Sequence, residues 1–286
     1  MKTILYALIA ILIFGTIATR FANKASLENG ILIQSVEKNI SSVSLSQSAK
    51  IISDRLKDYS SEKFDITINP EKNQIQVIFT EKWDLKTAEN LLVKKGTFAF
   101  YETYDHKSLS ELLNGDTHLF SLLRGSDPNN SAAKIGCTSI ADVDKVNGYL
   151  NSLGLNQKCK FSWGQVSDNS EICLYALKSD VEKGVLLTGT DVESMKFNQD
   201  AASKDYYIEI RFNKSAAELW HDATKRNINH AIAIVLDENV ICAPIVRSEI
   251  NNGICQIAGD YTENQVRYFA AIGNNGVLPV SFKVVK

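Results

Sequence analysis

The stretch 227–259, NINHAIAIVLDENVICAPIVRSEINNGICQIAG, constrains the fold of this chain most strongly. It opens on an unbroken apolar run, AIAIVL, turns at Asp237-Glu238-Asn239, and continues through a second β-branched run to Cys242-Ala243-Pro244. A third run, IVRSEI, leads through Asn251-Asn252-Gly253 into ICQIAG. Short runs of β-formers separated by Asp, Asn and Gly predict sheet strands joined by tight turns. No nucleophile motif, metal cage or phosphate loop lies within it, so the stretch reads as scaffold.

The bulk composition is that of an ordinary globular protein: of 286 residues, 44% are hydrophobic and 22% charged. A net charge of −2 provides no clustered basic face for nucleic acid. Near the N-terminus, TILYALIAILIFGTIAT (residues 3–19) carries no charge, with Lys2 before it and Arg20 behind. As a helix it spans roughly 25 Å, the lower limit for crossing a bilayer core. It exceeds the usual signal-peptide core of about 7–15 residues, which predicts a retained anchor, with Thr16-Ile17-Ala18 as the alternative cleavage site. The rest of the chain is then exported. In that setting Cys137, Cys159, Cys173, Cys242 and Cys255 are either buried thiols or form up to two disulfides. Cys242 with Cys255 is the first candidate pair, because both lie among the central strands.

In chain order, residues 1–20 are the anchor or signal segment and 21–30 a linker. Residues 31–104 read as strand, helix, strand, strand, helix, strand, the split βαβ order of a ferredoxin-like unit. Ser46 is the candidate cap of the first helix, and Gly96 stops the second. Residues 105–170 carry weaker signals and form an inserted lobe, a place where surface-specific function resides. Residues 171–286 return to clear α/β patterning. There Asn213 caps a helix whose apolar side is Ala217, Leu219, Trp220, Ala223 and Thr224, and Thr262 with Gln265 forms the capping box of the last helix. VLPVSFKVV closes the chain as an edge strand.

Candidate chemistry is sparse. His106, His118, His221 and His230 stand without a serine or cysteine nucleophile motif, so structural roles outweigh catalytic ones. LTGTD, NNGICQIAG and NNGVLP are not phosphate loops, and their glycines fit turns and helix stops. Asp237-Glu238 in a hairpin turn is ordinarily a solvated pair. No catalytic, cofactor or metal site is predicted, and the chain reads as a non-enzyme.

The run from WHDATKRNINHAIAIVLDENV to GNNGVLPV resembles the end of the first periplasmic domain of SecD/SecDF, a membrane component that assists protein export. Thr224, Asn227, Ala233 to Asp237, Ala243, Pro244, Ile250, Gly253, Ile257, Gly259, Tyr261, Thr262, Gly276, Leu278 and Pro279 fit the family pattern without gaps. There are departures: the family's Gly-rich D-L-x-G-G motif is reduced to Leu27-Glu28-Asn29-Gly30, its L-P-G becomes Phe79-Thr80-Glu81, and His230 and Glu238 replace the usual Lys and Gly. The resemblance implies an α/β (α+β) protein with a ferredoxin-like base, an inserted lobe and a SecD-type head, on one N-terminal membrane helix. It implies a form lacking the family's other membrane helices, and hence without its own proton-driven motor. Exported or unfolded polypeptides, or Sec translocon components, are the implied partners, at the cytoplasmic membrane with the bulk of the chain in the periplasm. The alternative is an envelope structural or regulatory protein that reuses the head fold with no export role.

Overall fold

The structure is a computed structural model, and it describes residues 29–127, 132–155, 157–167, 169–179, 184–259 and 261–285. The predicted N-terminal membrane helix lies outside the described residues. Among those described, no helix is long and apolar enough to cross a membrane.

The base begins with β1 (Gly30–Ser35), α1 (Ser42–Tyr59), β2 (Phe64–Asn69), β3 (Gln74–Phe79) and α2 (Leu85–Val93). Ser41, not Ser46, caps α1, its side chain accepting from the Ser44 N–H; a serine in the extended conformation frees its oxygen for that bond. Alternation in β1 and β3 puts Ile31, Ile33, Ile75, Val77 and Phe79 into the core, each at most 4% exposed. Each contributes about 1.5–3 kcal/mol by burial. The opposite face is rich in amides, with Gln74 donating to Gln34 at 2.8 Å.

The fourth base strand differs from expectation. The sheet order is β14-β1-β3-β2, all neighbours antiparallel, where β14 is Phe282–Val284 at the far end of the chain. Residues 98–104, assigned from sequence to the base, form β4 (Phe98–Tyr104) in a different sheet. The reason is burial. Six consecutive β4 residues are buried, so the strand needs cover on both faces, which a sheet with one polar face cannot supply. The ferredoxin-like order is therefore completed by a strand from outside 31–104, and the head is inserted between α2 and β14.

The inserted part continues with α3 (His106–Leu112), α4 (His118–Ser121), β5 (Lys134–Ser139), α5 (Val143–Ser152), β6 (Cys159–Trp163) and β7 (Glu171–Lys178). Leu109, Leu119, Ile135, Val146 and Leu150 form a separate small core that also takes in Leu174 and Ala176 of β7. The lobe's floor strand thus lies beyond the boundary at residue 170 read from the sequence. Then come β8 (Leu187–Thr188), β9 (Val192–Gln199), β10 (Tyr206–Phe212), α6 (Lys214–Arg226), β11 (Ile232–Leu236), β12 (Asn239–Cys242), β13 (Ile254–Ala258) and α7 (Glu263–Asn275). One head sheet runs β13-β10-β9; the other runs β12-β11-β4-β7-β5, with β6 on β7 and β8 on β4.

The opening sequence feature is explained by β11. Ile232, Ile234 and Leu236 face the main core, while Ala233 and Val235 join Ala99, Tyr101, Leu177 and Val240 in a second cluster on the other side. An unbroken apolar run is what a strand buried on both faces requires. The third run, IVRSEI, is not a strand: only Ile245 and Val246 make isolated bridges, to Ala231 and Ile228, inside a connecting loop. Helix α7 serves both halves. It packs on α1 and on β9, where a side chain at Gly273 would collide with Met195. Asn274 exchanges hydrogen bonds with the Met195 backbone at 2.7 and 2.8 Å.

Candidate functional site

The residues singled out from the sequence do not converge on one reacting centre; they gather at two structural points of the head. At the first, Thr224 of α6 donates to the Trp220 and His221 carbonyls and accepts from the Ile250 N–H at 2.9 Å, so it fastens the 243–252 loop to the helix. Asn227 caps α6: its side chain donates to the Ala223 carbonyl at 2.8 Å and its carbonyl accepts from the His230 N–H. Pro244 accepts from the Ile232 N–H at 3.2 Å, and Ala243 packs against the second cluster. Gly253 has φ +65°, and a side chain there would lie 2.6 Å from the Ala217 methyl. His221 and Glu249 add a 3.4 Å contact between helix and loop.

The second point joins head to base. Asp237 sits in the tight β11–β12 turn with φ 48°, followed by Glu238 at φ 73°. Positive φ at both central positions marks a turn whose twist suits a hairpin. The Asp237 carboxylate accepts from the Gly96 N–H at 2.9 Å and the Thr97 N–H at 2.8 Å, so it is not a solvated turn residue. Leu278 is fully buried, and its N–H donates to the Lys95 carbonyl at 2.8 Å. Thr262 closes the α7 capping box with Gln265 as expected, Gly259 approaches the Tyr261 ring, and Pro279 is exposed.

The cysteine expectation is corrected. The disulfide joins Cys137 and Cys173, while Cys242 and Cys255 are free. Cys137 and Cys173 are direct partners in the β5–β7 ladder. The Cys137 N–H and carbonyl are engaged by Arg124 rather than by Cys173. This is a non-hydrogen-bonded pair, the ladder position where opposing side chains come closest. Cys242 and Cys255 lie on β12 and β13, strands of two different sheets, and so have no such ladder register. Burial pushes both thiols up to about 12, which leaves them protonated and unreactive at neutral pH.

Beside the first structural point lies an apolar groove of about 210 Å³. Its walls are Trp220 and Thr224 of α6, Ile232 and Ile234 of β11, the loop through Val246 and Ile250, and Cys255 with Gln256 of β13. Trp220 is 3% exposed, and its indole N–H has no acceptor. A buried, unpaired donor costs about 1–3 kcal/mol, and this one lies out of contact with solvent beneath the groove wall. Next to the groove, among the described residues β13 is hydrogen-bonded to a strand on one flank only, that of β10. The sequence placed Leu219 on the buried side of α6, but it is 57% exposed. The groove itself had no sequence signal, because its walls come from three elements and a loop.

A buried carboxylate, Glu102 of β4, was also missed. It is 5% exposed, with Arg226 Nε at 2.6 Å and Lys178 Nζ at 3.4 Å. Burial alone would raise its pKa, but Arg226, Lys178 and Asn227 outweigh that and hold it below the usual carboxylate range. Among the described residues no group of three or more His, Cys, Asp or Glu side chains is placed to hold a metal.

Taken together, the geometry is that of a grooved head carried on a ferredoxin-like base. Residues 173–280 match the SecDF P1 head subdomain. The chain is similar to the protein translocase subunit SecD of Calditerrivibrio nitroreducens, 24% identical over 279 residues, which cover 90% of this chain and 52% of that one. It is 34% identical over 107 residues to SecD of Acidaminococcus fermentans, covering 37% of this chain and 25% of that one. The chain thus spans about half or less of the length of these relatives. Among solved structures, a SecDF described as a membrane component that enhances protein export superposes with a TM-score of 0.51 at 18% identity, over 90% of this chain and 98% of that one. SecDF in a super-membrane-facing form gives 0.55 at 17% identity, over 94% of this chain and 32% of that one. The resemblance read from the sequence therefore stands as a similarity: residues 173–280 match the SecDF P1 head subdomain, most of the chain is similar to SecD, and its α+β fold is like that of SecDF.

Proposed function

We propose that this protein acts in protein export, as a SecD-like module that binds exported polypeptide or docks on the Sec machinery from the extracytoplasmic side of the membrane. The N-terminal apolar run would tether it there. One juxtaposition carries the reading. The free edge of β13 runs beside the apolar groove, and Cys255 and Gln256 belong to both. An extended chain adding to β13 gains main-chain hydrogen bonds whatever its sequence, and can place one apolar side chain in the groove. Cavities of about 150 Å³ already accept a benzene-sized group, so the volume suffices. This mode needs no catalytic residue, and it suits a partner recognised by its unfolded state rather than by a motif.

The test is in-cell photocrosslinking from Ser248 and Gln256, both exposed on the groove side, with Lys283 on the base sheet as control. Adducts with translocating precursors from the groove positions, and not from Lys283, support polypeptide binding; adducts with Sec components support docking. Neither adduct from a folded, exported protein would sink the proposal. Depletion adds an independent measure, because loss of an export component leaves precursors with uncleaved signals.

A further inference from the structure

The base has a free edge of its own. In the order β14-β1-β3-β2, and among the described residues, β2 is hydrogen-bonded to a strand on one flank only. Its register with β3 is continuous from Phe64 to Asn69, and no bulge, proline or lysine interrupts those residues. Such interruptions are how sheets keep their edges from pairing; here Lys63 and Pro70 stand only at the two ends. The Lys63 carbonyl accepts from the Thr80 N–H at 3.2 Å. Alternation from that pair turns the main-chain groups of Asp65 and Thr67 toward β3, and those of Phe64, Ile66 and Ile68 toward the open side. The side chains of these three are half-buried and rest on the main core. Between this edge and α1 lies a groove of about 550 Å³, lined in part by Ser53, Lys57, Ser60, Phe64 and Ile66. A further strand would find both ladder partners and apolar cover there.

Charge decides which strand fits. Because only alternate residues of β2 face outward, an antiparallel copy of β2 can pair with it in few registers. Centred on Thr67, a two-fold pairing sets Lys63 against Glu71 of the second copy and Glu62 against Lys72, with Asp65 against Asn69 and Ile66 against Ile68. The two-fold makes each ion pair twice. The other registers do worse. A centre at Asp65 sets that carboxylate against itself, and a centre at Ile68 sets Asp65 against Glu71. A centre at Ile66 matches no opposite charges, and one at Phe64 runs β2 into Ser60, the C-cap of α1. Opposite charges across a strand pair stabilise it and like charges destabilise it. Among the described residues none of Glu62, Lys63, Glu71 and Lys72 has an ion-pair partner within its own chain.

We infer that β2 is a self-recognition edge, where two copies of this chain pair about a two-fold axis at Thr67 and join their four-stranded base sheets into one of eight. The pairing is closed, so it stops at the dimer and leaves no β2 edge free. An unfolded guest would gain the same main-chain bonds but has no reason to carry charges matched about Thr67. The edge belongs to the base, whereas the groove beside β13 belongs to the head, so this inference and the export reading stand or fall separately.

Sedimentation of the purified full chain in detergent measures the dimer, and charge reversal tests its register. Lys63 and Glu71 are both exposed, so the fold tolerates changes there. Lys63→Glu alone, or Glu71→Lys alone, sets like charges opposite each other twice per dimer and should weaken association about tenfold. The two changes together restore opposite signs and should recover the native affinity. Thr67→Cys should link into a covalent dimer under mild oxidation, because a non-hydrogen-bonded pair brings opposing side chains closest; Asp65→Cys, two positions off the axis, should not. The native chain is the control for its free thiols at Cys159, Cys242 and Cys255. A chain that is monomeric at every attainable concentration overturns the inference. So does a dimer indifferent to the single reversals, a double reversal that fails to recover it, or oxidation that joins Asp65→Cys in place of Thr67→Cys.

Discussion

Single residues in this head are decided by where the backbone has no alternative. Gly253 is the sharpest case, because its positive φ and its contact with Ala217 penalise a side chain in two separate ways. Gly253→Ala should cost about 2–3 kcal/mol, read from the urea midpoint of the purified protein. Glu102 gives the same region a pH response. Its folded pKa is held below the unfolded value, so its contribution is present above the unfolded carboxylate range and is lost as pH falls through the lower, folded value. Unfolding followed between pH 7 and pH 2 should therefore show a steep acid loss that Glu102→Gln makes shallower. The substitution should also cost about 2–4 kcal/mol at pH 7, since Arg226 and Lys178 lose their buried partner. An unchanged acid limb would show that Glu102 is not the controlling group. Asp237 shows the limit of reading a residue by its local sequence: in a hairpin turn it suggested solvent, yet its carboxylate is engaged by backbone of the base crossing.

At the level of elements, β14 and the lobe carry the informative tests. β14 is three residues long, and Phe282 anchors it at 6% exposure. Phe282→Ala should cost about 3–5 kcal/mol. Hydrogen exchange should then speed up in β1, the strand β14 pairs with, before it does in β13 of the head. In the lobe the Cys137–Cys173 bond closes a sequence separation of 36 residues. Replacing both with serine should lower lobe stability by about 2–4 kcal/mol. Alkylation of the denatured, unreduced protein should label three of the five cysteines; labelling only one would show that a second disulfide exists. Helix and strand identities were legible because capping residues and alternation are local: Asn213, Asp84 and Thr262 each cap the helix that follows them. The IVRSEI run failed as a strand because β-propensity holds only when a partner is within reach, and Val246 finds one backbone to bridge rather than a ladder.

For the molecule as a whole, the arrangement of base and head follows from a chain that leaves one sheet and comes back to it at the end. The local pattern of residues 31–104 is ferredoxin-like in order, but strand membership is a question of which faces are covered, and that depends on residues far along the chain. The same distance hides the groove and the hydrogen bonds that buried Arg55 donates to the Lys94, Lys95 and Gly276 carbonyls. Gly276 lies 221 residues from the arginine that binds it, so no window of sequence contains both. Conversely, the stretch 227–259 revealed its own nature: AIAIVL is apolar without alternation because β11 is covered on both faces, and that demand is written in consecutive residues. By itself, then, the sequence determined most of the elements, several of their caps, the doubly buried central strand and the similarity to SecD, all of which depend on near neighbours or on ordered spacing. Only the tertiary structure decided which strand completes the base, which cysteines pair, where the groove opens and what fastens head to base, because each depends on groups brought together by folding from separate parts of the chain.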